Sequence, residues 1–424
     1  MIDGCLHYST LTHTIFTWTD TATPVDICET KIKYMKMITW LNKKIDHLLQ
    51  PELLRPENLG QLPPGEYVPI PSDIVLPSII TAFAFVLIRH IFDRLVVYPI
   101  GTYFGLKDST PRKTTFDHPV LEHEYKNSKS PSSDVIMVLS KKTGISERTI
   151  QFWFKKRKKQ DKVSGIKRLS DSSWSFAFYF VLSWYGIYVL SNKQWSTKTE
   201  DCWKGWPLLT VSNDMYYYYL LELGYYISYI YMLFTDHKRK DFLEFFIHHN
   251  VTVILLILSW SVNVVRIGTL VLCIHDPVDY LLTFAKSAVY CKKHRVADVC
   301  FVVFLFLWIF TRLFVYPYVV LYSVYIELPA LAENNSNIQT LDRSFVIQFL
   351  KALLVVLQLL HILWTILIFK SAATKFTRGE LQDARSDTED DEKDDDDDDD
   401  DDVLYDENFK EMFNNNTGTN GIGQ

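Results

Sequence analysis

Apolar runs of helix length, set between short charged loops, constrain this chain more than any other feature. Inside hydrocarbon every backbone N–H and C=O must find a partner within the protein, so a spanning segment is a helix or part of a closed barrel. A helix needs about 20 residues to cross. Six runs approach or exceed that length: 74–97, 174–191, 208–234, 242–260, 299–325 and 345–369. Arg89, His90, Asp93 and Arg94 interrupt the first. The third carries Glu222 and the tyrosines 216–219, the fifth Arg312 and Pro317, the sixth His361. A seventh run, 264–275, is too short to cross alone. It either extends through Pro277 as an amphipathic turn or crosses in a thinned or cavity-lined region. The expected fold class is all-α, a polytopic membrane helix bundle of about seven spans.

Hydrophobic residues make up only 48% of the 424 because charge is segregated, collecting at 107–170 and after 378. Trp and Tyr often stand near the ends of the runs, as anchoring at a membrane interface favours. The net charge of −6 averages an intensely acidic stretch, Asp383 to Asp402, with a basic remainder. A tail of that composition, 378–424, repels itself, buries no core and is expected to be disordered. Within it Ser386 and Thr388 precede acidic residues at the spacing an acid-directed kinase prefers. The tail reads equally as a solubilising segment. The six cysteines are scattered without a CxxC, which points to neither a disulfide framework nor a zinc site. Residues 1–30 lack the charged-then-apolar pattern of a cleavable signal peptide. Residues 1–72 form an N-terminal arm. Trp18, Trp40 and the lysines between 31 and 44 read as an interfacial segment or a poorly ordered arm, and Pro63-Pro64-Gly65 as a linker.

Residues 112–162 are different in kind: soluble, basic and helical. Ser133 can cap a helix to about Lys142, Gly144 breaks it, and Ser146 can cap the next. Ile150, Trp153 and Phe154 fall on one face of that last helix. The pair with its glycine turn resembles a helix-turn-helix, and the Trp-Phe followed by basic residues resembles the third helix of a homeodomain. The homeodomain asparagine that reads adenine falls at Lys156, so that base contact is missing. The flanking spans hold the module from chromatin. Nucleic acid is therefore not the expected partner. Lys155, Lys156, Arg157, Lys158 and Lys159 suit phosphates without sequence preference, anionic lipid headgroups included.

Basic loops mark the cytosolic side. The short loops 238–240, 286–295 and 370–378 side with the module, and 192–207 and 326–343 are less basic. Seven spans then put the N-terminus in the lumen and the tail in the cytosol. Asn334-Asn335-Ser336 becomes a lumenal glycosylation sequon at Asn334, while Asn250-Val251-Thr252 matches only inside a span.

The stretch 236–279 concentrates polar groups where lipid should exclude them, and such groups mark functional sites by default. His248 and His249 lie about 100° apart on a helix, so they cannot both face one way. His248 shares its face with Thr252, and His275 with Asp279. A hairpin can bring one of the paired histidines against His275 and Asp276. Asp241 lies about 10 Å of helix rise from His248. Arg239 and Lys240 beside it form a basic mouth suited to anionic phosphates. Three chemistries fit. A di-iron centre needs several histidine boxes and has too few imidazoles here. Histidines and carboxylates suit general acid–base or nucleophilic acyl transfer. Helix-gluing polar residues are the third reading.

The motifs then point to a family. LIRHIFDR (87–94), WFKKRKKQ (153–160), DCW-x-GWP (201–207), the signature from Lys238 to Asp279, TRLFVYP (311–317), LQLLHILW (357–364) and RSDTED (385–390) resemble a ceramide synthase of the TLC-domain family. The resemblance is to the subgroup with an inserted homeodomain-like three-helix module. It covers about 87–391; Thr283 stands where relatives commonly show Glu, and the acidic tail is longer than expected. The chain is then expected to divide into five parts: a lumenal arm at 1–72, largely outside the resemblance, a first span at 73–98, a cytosolic module at 112–162, a six-span TLC domain at 170–377, and the tail at 378–424. The resemblance implies an enzyme of the endoplasmic reticulum membrane that joins acyl-CoA to a sphingoid base, with no cofactor besides that co-substrate. His248, His249, His275 and Asp276 are the implied catalytic residues. Arg239, Lys240, Asp241, Thr252, Asn263, Arg266 and Asp279 are the expected substrate-binding set. In the family, acyl-chain selectivity is associated with the last lumenal loop, here 326–343. Homo- or hetero-oligomers with related synthases stay open, as do two other functions: a membrane-tethered DNA-binding regulator, and a lipid sensor or transporter.

Overall fold

The computed structural model describes residues 24–49, 68–106, 118–161, 163–191, 193–235 and 242–378. Every regular element among them is a helix. In chain order these are α1 (Pro24–Leu49), α2 (Ser72–Tyr103), α3 (Pro119–Asn127), α4 (Ser133–Thr143) and α5 (Glu147–Asp161). There follow α6 (Gly165–Ser191), α7 (Asn213–Thr235), α8 (Phe242–Ser261) and α9 (Val265–Tyr290). The chain continues with α10 (His294–Ala332), α11 (Ser336–Asp342) and α12 (Phe345–Arg378). Among the described residues six helices, α2, α6, α8, α9, α10 and α12, are long and apolar enough to cross a membrane. The chain is a multi-pass membrane protein. Arg239, Lys240, Asp241, Ser386 and Thr388, Trp18, the 63–65 linker and the acidic tail lie outside the described residues.

The run at 208–234, counted as a span from sequence, is helical as α7 but too rich in tyrosine to match the hydropathy of the other six. Those tyrosines make it a central post. Tyr216 Oη donates to the Asp73 carbonyl on α2 at 3.1 Å, and Tyr225 Oη to Ser175 on α6 at 3.1 Å. On α9, Tyr218 donates to Asp276 at 2.6 Å and Tyr219 to the Val265 carbonyl at 3.1 Å. Each ring buries apolar area and each hydroxyl finds its partner, the condition for burying tyrosine. Tyr218, Tyr219 and Tyr225 are fully buried. The helices meet closely where a side chain is missing: a Cβ on Gly268 would overlap the Tyr219 hydroxyl.

The short run at 264–275 is part of a helix of 26 residues that passes Pro277 and ends at Tyr290. Asp276, Asp279 and Tyr280 interrupt the apolarity without interrupting the helix, which is why an apolar run alone underestimates it. In the 118–161 module, Leu121, Tyr125, Ile136, Leu139, Ile150, Trp153 and Phe154 form a separate small core. Arg157 closes that core with a two-pronged ion pair to Glu122, both hydrogen bonds at 3.0 Å. Gly144 ends α4 with φ +72°, and Ser146 Oγ accepts from the Thr149 N–H at 3.2 Å. Ser133 is instead the first residue of α4; the cap position falls to Ser132, whose side chain makes no cap bond. Leu106, which leads into the module, packs on Gly165, which leads out of it.

The opposite end of the bundle is tied by the 193–212 loop. Trp206 Nε1 donates to the Val262 carbonyl at 3.1 Å, and Trp203 Nε1 to Ser323 Oγ at 2.8 Å. Cys202, just before Trp203, is buried with its thiol toward the Trp195 carbonyl, and burial pushes that thiol up to about 12. Asn263 turns α8 into α9 with φ +56°, a conformation Asn tolerates better than most residues. Its Nδ2 donates to the carbonyls of Pro207 and Leu209 at 2.7 and 2.8 Å. Asn263→Ala removes both bonds and strains the turn. We expect a loss of about 2–3 kcal/mol, read as a lower melting temperature of the purified protein, whereas Asn263→Gly, which adopts positive φ freely, should keep the turn and lose only the donors.

Candidate functional site

Three helices line a pocket, each offering one stripe. From α8 come His248, Thr252, Leu255, Leu256 and Ser259, at helical spacing along one face. From α12 come Leu350, Leu354 and Leu357. From the turn into α9 comes Val264, and from α9 come Ile267, Gly268, Val271, Leu272, His275 and Asp279. Tyr226 of α7 completes the lining. Polar groups collect at one end, where His248, His275, Asp279 and Tyr226 meet. The walls beyond are almost wholly aliphatic. From His275 to Val264 the cavity follows α9 for eleven residues, about 16 Å of rise.

The hairpin of α8 and α9 therefore brings His248 to His275 and Asp279. It turns the other two catalytic candidates elsewhere. His249 is 3% exposed and sits among aromatic rings, 4.4 Å from Tyr229 and 5.6 Å from Tyr226. Asp276 is fully buried on the side of α7, where Tyr218 donates to it and Glu222 is its neighbour. This division follows from helix geometry, since Asp276 lies about 100° around α9 from His275 and Asp279 about 40°.

His275 is held at both ring nitrogens. Its Nδ1 lies 2.6 Å from the Val271 carbonyl and its Nε2 3.0 Å from His361 Nε2. The carbonyl only accepts, so Nδ1 carries the proton and Nε2 accepts from His361 Nε2–H. His248 faces the cavity with Trp364 against its ring at 4.9 Å. Thr252 lines the wall one turn on and spends its hydroxyl on the His248 carbonyl at 3.0 Å.

Arg312 fixes α9 from outside. It lies in a π-helical stretch of α10, Phe310–Leu321, and is 1% exposed. Its Nη1 donates to the Ile274 carbonyl at 2.7 Å and its Nη2 to the His275 carbonyl at 3.0 Å. Nη2 also stands 3.6 Å from Asp279 Oδ1, and the guanidinium lies 5.2 Å from the Trp308 ring centre. A planar guanidinium suits this fork, and a lysine would not.

Two residues placed in the substrate set from sequence sit at the far end instead. Asn263 holds the turn described above. Arg266 Nη1 donates to the Asp201 carbonyl at 2.9 Å and its guanidinium lies over Trp195. Both tie the bundle to the 193–212 loop. Asn334 is exposed just before α11, whose first turn is capped by Asn335. Asn250 Nδ2 is engaged by the Phe246 carbonyl inside α8. Arg312, His361, Tyr218 and Glu222 were not in the sequence-derived site. The signal that finds them is the one that found the histidines: an ionisable group inside an apolar run.

A family model described as the TLC domain matches residues 168–370, and one described as Homeodomain matches 112–163. The chain is 34% identical to ceramide synthase 4 of Bos taurus over 327 residues, 77% of this chain and 81% of that one. It is 36% identical to ceramide synthase 5 of Homo sapiens over 304 residues, 71% of this chain and 75% of that one. It is 35% identical to ceramide synthase 3 of Homo sapiens over 310 residues, 73% and 78% respectively.

Removing Arg312 leaves a half-buried Asp279 without its counter-charge, beside two bare carbonyls. Arg312→Met is expected to cost about 3–5 kcal/mol, seen as a large drop in melting temperature. Adding Asp279→Asn should recover part of that loss, because the uncompensated charge is gone.

Proposed function

The chain belongs to the ceramide synthase family, and from that premise we propose that it transfers a fatty acyl group from its CoA thioester to the amine of a sphingoid base, giving dihydroceramide or ceramide and free CoA. The observation that carries this reading is the cavity, polar at one end and aliphatic for the rest of its length. An acyl chain fills the aliphatic length, and its thioester carbonyl comes to rest at the polar end. Arg239 and Lys240 at the mouth receive the CoA phosphates as charge-assisted hydrogen-bond donors, with Asp241 beside them. No other cofactor enters the scheme.

A sphingoid amine is mostly protonated at neutral pH, like other alkylamines. It must lose that proton before it attacks. His248, whose ring faces the cavity, takes the second proton as the C–N bond forms, and delivers it to the thiolate as the C–S bond breaks. Imidazole exchanges protons in the range this needs. His275 has both nitrogens engaged and acts by orientation, as do Asp276 through Tyr218 and Asp279 through Arg312. His249 packs the wall behind His248. Acyl transfer through His248 itself, with a transient acyl-imidazole, uses the same geometry. A basic module, three basic loops and a membrane-bound acyl acceptor favour the endoplasmic reticulum membrane, with N-terminus lumenal and tail cytosolic. Asn334 then faces the lumen as a glycosylation site, and Ser386 and Thr388 the cytosol as phosphorylation sites.

Purified protein assayed with labelled acyl-CoA and sphinganine tests the reading. His248→Ala should lose amide formation by at least about a hundredfold; near-normal turnover in this variant sinks the scheme. An acyl adduct on His248, trapped before the sphingoid base is added and found by mass spectrometry, selects the covalent route over direct transfer. His361→Leu should lower kcat with little change in KM. His361→Gln, whose amide donor reaches the same place as Nε2–H, should restore most of it.

A further inference from the structure

The first helix lies outside both family matches, and the function above makes no use of it. Its two sides differ sharply. Met37, Ile38, Leu41, Ile45 and Leu49 fall within an arc of about 120°, and Lys33, Lys36, Lys43, Lys44 and His47 within an opposed arc of about 100°. The apolar side is uncovered: Met37 is 53% exposed, Ile38 47% and Leu41 37%. All three are exposed, although the bundle has closed around its own core. Trp40 stands on the lysine side, 61% exposed, with Lys44 Nζ 6.0 Å from its ring centre.

The helix is also pinned in place. Asp46 Oδ1 accepts from the Ser72 backbone N–H at 2.8 Å, and its Oδ2 from Ser72 Oγ at 3.1 Å. Ser72 opens α2, so the carboxylate sits at the N-terminus of a spanning helix, where the helix dipole favours it. The C-terminal turn of α1 is thus fixed where α2 enters the bilayer. A helix with an uncovered apolar side, a lysine-rich side and a fixed end at the bilayer entrance has one fitting surface within reach.

We propose that α1 lies in the plane of the membrane this chain crosses, with Met37, Ile38 and Leu41 among the acyl chains and Lys33, Lys36, Lys43 and Lys44 against lipid phosphates. Amphipathic interfacial helices have this composition and bury their apolar side only about 5–10 Å deep. The lysine stems reach along the apolar border while their ammonium groups stay in the wet headgroup layer. Trp40, beside them, sits at that same level. The Asp46–Ser72 contact sets how far along the surface the helix extends.

Hydroxyl-radical footprinting of the full chain in phospholipid nanodiscs, read residue by residue by mass spectrometry, tests this. Methionine and tryptophan both oxidise readily, so Met37 and Trp40 report the two sides of one helix. Met37 is expected to be protected relative to the unfolded chain, and Trp40 to react. Equal reactivity of the two places α1 in water and overturns the proposal. Protection of Met37 only in discs holding two chains, lost in discs holding one, also overturns it, by giving the apolar side to a second copy. As a second arm, Ile38→Glu with Leu41→Glu should release Met37 to oxidation while the melting temperature of the bundle stays unchanged; continued protection of Met37 in that variant overturns the proposal as well.

Discussion

Arg312 is the interaction on which the site depends. Pro277 has no N–H to give to the carbonyl four residues back, and a proline at that position disturbs the helical ladder around it. The next two carbonyls, Ile274 and His275, are those that Arg312 takes. A buried guanidinium is costly unless it is paired and hydrogen-bonded. Here two carbonyls, a carboxylate and the Trp308 ring share it. The π-helical stretch of α10 brings the arginine to that place. Such stretches occur often at functional sites because they re-aim a side chain without ending the helix. His275 and Asp279 inherit their orientation from this clasp, and the polar end of the cavity inherits it from them.

Much of this was legible in the chain itself. Helix class, the inserted module and the approach of one of the paired histidines to the later histidine follow from apolar length, glycine punctuation and helical spacing; which of the pair faces the site does not. What was not legible is instructive. The run at 264–275 looked truncated because apolarity ends at His275 while helical hydrogen bonding continues to Tyr290. The division between His275 and Asp276 was hidden because adjacency in sequence is separation around a helix. Asn263 and Arg266 looked like ligands because they are polar residues beside apolar runs. Their partners, the backbone carbonyls of 201, 207 and 209, carry no sequence signal at all. His361 and Arg312 lie 86 and 37 residues from His275, and no local pattern joins positions so distant.

The tyrosine-rich helix α7 shows why hydropathy misjudges some buried helices. A tyrosine in the middle of a bundle is favourable if its hydroxyl is satisfied there. Four successive partners on three neighbouring helices meet that condition. α7 is thus held by specific bonds at specific heights, where an aliphatic helix would be free to slide. This fixes the position of Asp276 along α9, and through it the height of His275.

The contact of Leu106 with Gly165 has a further meaning. The chain leaves the bundle and returns to it at a single point, so the bundle is closed behind the module. Closing a loop of any length across so small a gap adds only a slowly growing entropy cost. The module has its own core and its own ion pair, Arg157 with Glu122. It is thus a unit with a core of its own, joined to the bundle at one seam, so its unfolding or loss would leave the bundle's packing in place.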